Sequence, residues 1–225
     1  MIDRSSVRTA GAVALLMLAM AGVAASSADQ WPAPQTREVW SQSRHYLVRV
    51  IPGTSIGETV GFRGAPTGRP ATAELYRRAS DRSYRLAWTV SLLNPVAPID
   101  LFVTDRGYLV TLDNWHNMGY GTVVAFYSPH GKLVRGHALG DLFPASEIDK
   151  LPHSVSSIWW RKPVAYVRAD QQTLYVSADD SGREFIFETE SGAYQFCETR
   201  EGAYRCRSSN DPRQWRGYVD PPPRR

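Results

Sequence analysis

The sequence has few of the residues and motifs that usually carry enzyme chemistry. It holds two cysteines and five histidines in 225 residues, and the histidines are scattered without the spacing of a zinc site. No serine or cysteine lies in a nucleophile context such as Gly-x-Ser-x-Gly, and no Cys-x-x-Cys pair is present. These absences argue against a zinc enzyme, a common type of serine or cysteine hydrolase and a thiol redox protein. We therefore expect no metal and no cofactor.

Long apolar runs are also scarce, and the one that exists lies near the start of the chain. It extends from Ala10 to Ala25, follows Arg4 and Arg8, and leads into small residues up to Ala28. This order is typical of a secretory signal peptide, and the run is shorter than the roughly 20 residues that span a bilayer. We predict that residues 1–28 are a signal peptide, with cleavage after Ala28 or a few residues earlier. The protein is then periplasmic or secreted, with no other membrane contact.

Excess charge is confined to the C-terminal end. Residues 205–225 hold six arginines against two aspartates and end in three prolines and two arginines, whereas the middle of the chain is nearly neutral. Proline-rich charged segments rarely bury enough apolar area to fold, so the basic end predicts no nucleic-acid partner. We divide the chain into a signal peptide (1–28), an N-terminal extended segment (29–43), one β domain (44–207) and a basic Pro/Arg-rich tail (208–225).

Short β-rich runs separated by glycine turns fill the middle of the chain. Apolar and polar residues alternate over Tyr46–Val50, Tyr108–Leu112 and Leu174–Ala178, which predicts strands with one buried face. Thr122–Tyr127 is apolar on both faces and is typical of an interior strand. One short helix is predicted within Asp141–Leu151, before Pro152.

A weak internal repeat relates these strands. Residues 105–113 parallel residues 170–179, and residues 123–131 parallel residues 184–192, while a less clear first copy covers residues 46–93. Each unit would be a meander of about four strands, which resembles a β-propeller blade. The prediction is an all-β fold of antiparallel meander sheets in about three blade-like units with one short helix. Because propellers close with roughly four blades or more, the units form an open or partial propeller-like stack, an assembly of several chains or a β-sandwich.

The two cysteines are spaced as in a cross-linked hairpin. If Glu201-Gly202 is a two-residue turn, Cys197 faces Cys206 at a non-hydrogen-bonded position. The Cα atoms of such a pair lie about 4.5 Å apart, within reach of a disulfide. Because the protein is expected outside the cytosol, we predict a structural disulfide between them.

The most distinctive segment is Asp113–Gly121, an insertion in the second unit that the third unit lacks. Its Asp-Asn-Trp and Gly-Tyr-Gly parts, with the later Ser-Ser-x-x-Trp at residues 156–160, resemble a family of uncharacterised exported bacterial proteins. The resemblance covers about residues 46–192. It implies a blade-like β fold and supplies no activity and no catalytic residues.

Several functions are compatible with this segment. Aromatic faces and glycines suit recognition of a carbohydrate or a protein, with Trp115, His116 and Tyr120 as contacts beside Asp113 and Asn114. In the alternative reading the segment is a packed connection, in which the aromatic rings cover the sheet and the two polar side chains cap backbone groups. A third possibility is a hydrolase or lyase with the aspartate and histidine as acid and base, and a fourth is a structural protomer of an oligomer.

Overall fold

The structure, a computed structural model, describes residues 31–54, 68–154, 156–200, 203–209 and 211–218. The predicted signal peptide, the Glu201-Gly202 turn and residues 219–225 of the predicted tail lie outside the described residues. The described part contains fourteen strands and two short helices. None of its helices is long and apolar enough to cross a membrane.

The strands form three antiparallel sheets, each built in chain order. Sheet 1 contains β1 (Arg37–Trp40), β2 (Tyr46–Ile51), β3 (Thr72–Arg78) and β4 (Tyr84–Ser91). Sheet 2 contains β5 (Pro98–Val103), β6 (Leu109–Asn114), β7 (Thr122–Tyr127) and β8 (Leu133–Ala138). Sheet 3 contains β9 (Ala165–Val167), β10 (Thr173–Ser177), β11 (Glu184–Glu188), β12 (Tyr194–Arg200), β13 (Ala203–Ser208) and β14 (Asp211–Tyr218). The prediction of an all-β fold in three blade-like meanders is confirmed.

Two apolar cores show how the sheets stack. Side chains from sheets 1 and 2 share one core, which includes Val48, Val50, Ala73, Leu75, Leu101, Val103, Leu109, Ala125 and Tyr127. Side chains from sheets 2 and 3 share the other, which includes Val110, Leu112, Val124, Phe126, Leu174, Val176, Phe185, Phe187 and Phe196. Sheet 2 is therefore packed on both faces, and sheets 1 and 3 lie at the two ends of an open stack.

The position of sheet 2 corrects the expectation for one strand. The segment Tyr108–Leu112 was predicted to be half-buried, but every residue of β6 is buried. Val110 and Leu112 contribute to the core with sheet 3, whereas Leu109 contributes to the core with sheet 1. Alternation in β6 thus separates two buried faces, because successive side chains point to opposite sides of a strand.

A one-turn helix forms within Asp141–Leu151 as predicted, and a second one-turn helix that was not predicted precedes it. These are α1 (Leu139–Leu142) and α2 (Ala145–Ile148), separated by an extended backbone at Phe143 and Pro144. A residue that precedes proline is disfavoured in the α region by a clash with the proline ring, so Phe143 leaves the helix. Pro144 precedes the first turn of α2 rather than continuing a longer helix.

Sheet residues extend beyond the expected range 44–207 on both sides. Strand β1 comes from the segment 29–43 and pairs with β2, and strand β14 comes from the basic tail and pairs with β13. The third unit consequently has six strands rather than about four.

The β12–β13 hairpin has the predicted register. Cys197 lies opposite Cys206, and Arg200 lies opposite Ala203. The two cysteines form a disulfide with a Cα–Cα distance of 4.0 Å.

Candidate functional site

Asp113 is the centre of a buried polar network rather than part of an open loop. It is the second-last residue of β6 and has a φ of 55°, a left-handed conformation that aspartate tolerates better than most residues. Its carboxylate accepts hydrogen bonds from Trp160 Nε1 at 2.7 Å, from the Gly119 backbone N–H at 3.1 Å and from Arg161 Nε at 2.6 Å. The Asp-Asn-Trp and Ser-Ser-x-x-Trp segments therefore meet in space, through the Asp113–Trp160 contact.

Arg161 balances the buried carboxylate. Its guanidinium is fully buried and also donates to Asp100 on β5, at 2.6 Å. Burial raises the pKa of Asp113, while the Arg161 charge and the three N–H donors act in the opposite direction. Because the carboxylate is sealed from water and fully hydrogen-bonded, the network is suited to joining the segment before sheet 3 to sheet 2.

Asn114 organises the rest of the inserted segment. Its Nδ2 donates to the backbone oxygens of Tyr120, at 2.7 Å, and Thr122, at 3.1 Å. Its Oδ1 accepts a hydrogen bond from Asn94, which also donates to the Asp113 carbonyl. Asp113 thus caps a backbone N–H, as the packed-connection reading anticipated, whereas Asn114 donates to backbone carbonyls.

The three aromatic residues predicted as ligand contacts are half-buried. Trp115 donates its indole N–H to the Pro32 carbonyl at 3.0 Å, and the Trp31 ring lies edge-on to it at 5.4 Å. Trp31 also packs against His116 at 5.9 Å. The segment just before β1 therefore covers Trp115 and His116, and Tyr120 remains half-buried at the far end of the insertion.

The predicted acid and base are not joined. All three hydrogen bonds to the Asp113 carboxylate come from other groups, and within the described part of the chain His116 shares none with it. Burial lowers the pKa of His116, and its Nε2 has no hydrogen-bond partner among the described residues. The pair therefore lacks the contact that a base and its orienting carboxylate require.

A cleft of about 910 Å³ lies beside the segment that carries Trp159 and Trp160. It is bordered by α2, by residues 150–152 and 159–163, by the turn between β10 and β11, and by β12 and β13. Trp159 lies in its wall with 44% of its surface exposed, while the neighbouring Trp160 is fully buried. In the sequence, the Ser-Ser-x-x-Trp segment marks Trp160 and assigns no role to Trp159. Nothing in the pattern separates the buried ring from the exposed one.

Charged groups of both signs line the cleft. Arg183 pairs with Asp179 at 2.5 Å and with Glu147 at 3.2 Å, and Lys162 pairs with Asp180 at 2.5 Å. The Arg207 guanidinium lies over the Phe196 ring at 5.0 Å. The cleft thus offers fixed hydrogen-bond donors and acceptors around apolar rings, with no large excess of one charge.

The acidic turn at residues 179–182 is held by cations of the protein. Asp179 accepts hydrogen bonds from the Ser181 backbone and hydroxyl in addition to its pair with Arg183. Burial alone would raise the pKa of Asp179, but these hydrogen bonds and the arginine charge hold it below its usual value. Within the described residues, no group of three or more His, Cys, Asp or Glu side chains could hold a metal ion.

Comparison with known proteins gives a distant structural neighbour. No family model and no curated protein matches the chain. A solved structure, the periplasmic gluconolactonase PpgL of Pseudomonas aeruginosa, is similar with a TM-score of 0.37 and 15% sequence identity. The match covers 84% of this chain and 58% of the gluconolactonase chain.

Proposed function

We propose that the protein is a non-enzymatic binding module for a neutral or weakly charged carbohydrate, which it holds in the cleft beside Trp159. The observation that carries the proposal is the exposed Trp159 ring in the wall of a cleft that also holds the Lys162–Asp180 and Arg183–Asp179 ion pairs. An exposed indole gives a flat apolar face for the C–H side of a sugar ring. The disulfide supports a site of action in the periplasm or outside the cell, since disulfides persist in oxidising compartments.

The cleft chemistry favours a sugar over a strongly charged ligand. Sugar hydroxyls both donate and accept hydrogen bonds, so they can use carboxylates such as Glu147 and Asp180 together with Arg183 and Lys162. A polyanion would meet the carboxylates and a polycation the guanidinium and ammonium groups. A volume of about 910 Å³ falls in the range of sites that enclose small ligands, roughly 300–1,000 Å³.

The test is calorimetric titration with soluble oligosaccharides of glucose, galactose and N-acetylglucosamine. We expect one of these series to bind, and Trp159→Ala to weaken that binding about tenfold, which corresponds to about 1.4 kcal/mol. Leu133→Ala is the control, because Leu133 is 48% exposed on β8 and lies outside the cleft. Its affinity should equal that of the unmodified protein.

Two results would contradict the proposal. Equal losses of affinity in Trp159→Ala and Leu133→Ala would show that the cleft is not the site. Release of reducing ends from the bound sugar would show that the protein is a hydrolase. Loss of that release in Asp113→Asn or His116→Gln would assign the activity to the acid and base predicted from the sequence.

A further inference from the structure

Sheet 1 has an outward face that belongs to neither of the two large cores. On its inner face, Val48 and Leu75 pack towards sheet 2. Side chains alternate along each strand, so the residues between them point away from the stack. These include Leu47 and Tyr76, which lie opposite each other on β2 and β3.

A continuous apolar row crosses this outward face. Trp40 lies opposite Leu47, Leu47 opposite Tyr76, and Tyr76 opposite Leu86, so that each of the four strands contributes one side chain. Trp40 and Leu86 are 45% and 54% exposed. Between them, Leu47 is only 8% exposed and Tyr76 is half-buried, so the exposed apolar surface lies at the two ends of the row. Exposed apolar surface rimmed by polar residues marks interaction sites.

The neighbouring row on the same face carries charges that are already paired. Arg49 contacts Glu38 at 2.8 Å and Glu74 at 3.6 Å, across three strands. A partner that covers the face therefore does not have to bury an isolated cation, which would be costly.

The outward face of sheet 3, at the other end of the stack, carries a second apolar row. Tyr166, Tyr175 and Ile186 lie opposite one another on β9, β10 and β11. The rings of Tyr166 and Tyr175 are stacked at 4.9 Å. These three side chains are half-buried, and Ile186 packs against a small buried cluster of Cys197, Tyr204 and Cys206. Both rows begin on the first strand of their sheet, so each end face carries an apolar row at a corresponding place.

We propose that two copies of this chain associate through these end faces, with sheet 1 of each copy packed on sheet 3 of the other. Two copies of three blade-like sheets make six, within the range of roughly four to eight blades over which propellers close. A twofold axis satisfies both contacts at once and leaves no end face open. The inner faces already pack in this way within the chain, with sheet 2 between its neighbours.

The available area is sufficient for a stable pair. Four strands of about six residues, at a spacing of about 4.8 Å and a rise of about 3.3 Å per residue, cover a face of about 400 Å². Two contacts with two faces each bury about 1,600 Å², the size of a standard protein interface.

The experiment is sedimentation velocity on the exported protein over a wide concentration range. We expect twice the mass of one chain for the unmodified protein. Leu86→Arg, on the sheet 1 row, and Tyr166→Arg, on the sheet 3 row, should each shift it to one chain. The matched control is Leu133→Arg, since Leu133 is 48% exposed on β8 and lies on neither row. Circular dichroism checks that each variant is folded, and Leu86→Ser and Tyr166→Ser replace any arginine variant that is not.

A mixing experiment tests the pairing of unlike faces. A Leu86→Arg copy keeps an intact sheet 3 face and a Tyr166→Arg copy keeps an intact sheet 1 face, so an equimolar mixture should recover part of the dimer through one intact contact. A single-chain mass at every concentration would overturn the proposal. A dimer that only Leu86→Arg disrupts would also overturn it, because sheet 1 would then pack on sheet 1.

Discussion

His137 on β8 is a buried histidine enclosed by aromatic rings. Its ring lies 5.8 Å from that of Phe187 and 5.5 Å from that of Tyr194, and its Nε2 is 2.7 Å from the Gly192 carbonyl oxygen. Burial lowers the pKa of His137, while the hydrogen bond to Gly192 partly opposes this shift. The folded protein therefore holds the neutral ring, with the proton on Nε2 to donate to the carbonyl.

This shift makes stability dependent on pH. Because the folded-state pKa is below the unfolded value of about 6.5, the unfolded chain takes up protons first as the pH falls. The contribution of His137 to stability is complete above about pH 7 and is lost as the pH falls through the folded-state pKa. The urea concentration at the midpoint of unfolding should therefore decrease as the pH is lowered from 7 to 5. It should decrease less steeply in His137→Gln. His116 shifts in the same direction and leaves a residual slope. An unchanged slope in His137→Gln, with His130→Gln as the surface control, would contradict this explanation.

At the residue scale, the sequence predicted the chemical role of a side chain better than it predicted which residues contact that side chain. It selected Asp113 and Asn114 as polar groups that cap or bind, and Asp113 caps a backbone N–H whereas Asn114 donates to backbone carbonyls. It could not show that Arg161, 48 positions away, supplies the counter-charge, because that contact depends on how two sheets stack. For the same reason it could not distinguish exposed Trp159 from buried Trp160.

At the element scale, the connection that leads into sheet 3 is held by Arg161. Arg161→Met would leave the buried Asp113 carboxylate without its counter-charge, and we expect the free energy of unfolding to fall by about 3–5 kcal/mol. Arg85→Met is the control, because the Arg85–Asp81 pair is exposed and should contribute little. Denaturant titration measures both variants.

A double variant separates the charge effect from lost packing. Asp113→Asn combined with Arg161→Met removes both charges while the amide oxygen can still accept from Trp160 and Gly119. We expect it to regain part of the lost stability. If the double variant is as unstable as the sum of its single changes, the network does not act through charge balance.

Strands were predicted more reliably than helices, for a local reason. Alternation in Leu174–Ala178 and the apolar run Thr122–Tyr127 depend on neighbouring residues, and both segments form strands that start and end within about one residue of the predictions. The predicted helix forms as α2, whereas α1 was not predicted, and the restriction that Pro144 places on Phe143 keeps the two helices apart. Strand β14 was not predicted, because the prolines and arginines of this segment are typical of a tail that does not fold. In the structure its backbone pairs with β13.

At the scale of the whole molecule, the repeat predicted the number of sheets but not which sheet is packed on both faces. Strand β6 reads as half-buried in isolation, and only the stacking of sheets 1 and 3 on either side explains why all of it is buried. The same stacking leaves one face of sheet 1 and one of sheet 3 outside the two cores that join the sheets, and the cleft beside Trp159 lies where the connection into sheet 3 passes.

The most direct test of the proposed binding function is a crystal structure of the protein with the oligosaccharide that binds most tightly. We expect a sugar ring stacked on the Trp159 indole, with its hydroxyls hydrogen-bonded to charged groups of the cleft such as Arg183 and Glu147. A sugar bound instead against Trp115 or Tyr120, with the cleft empty, would contradict it.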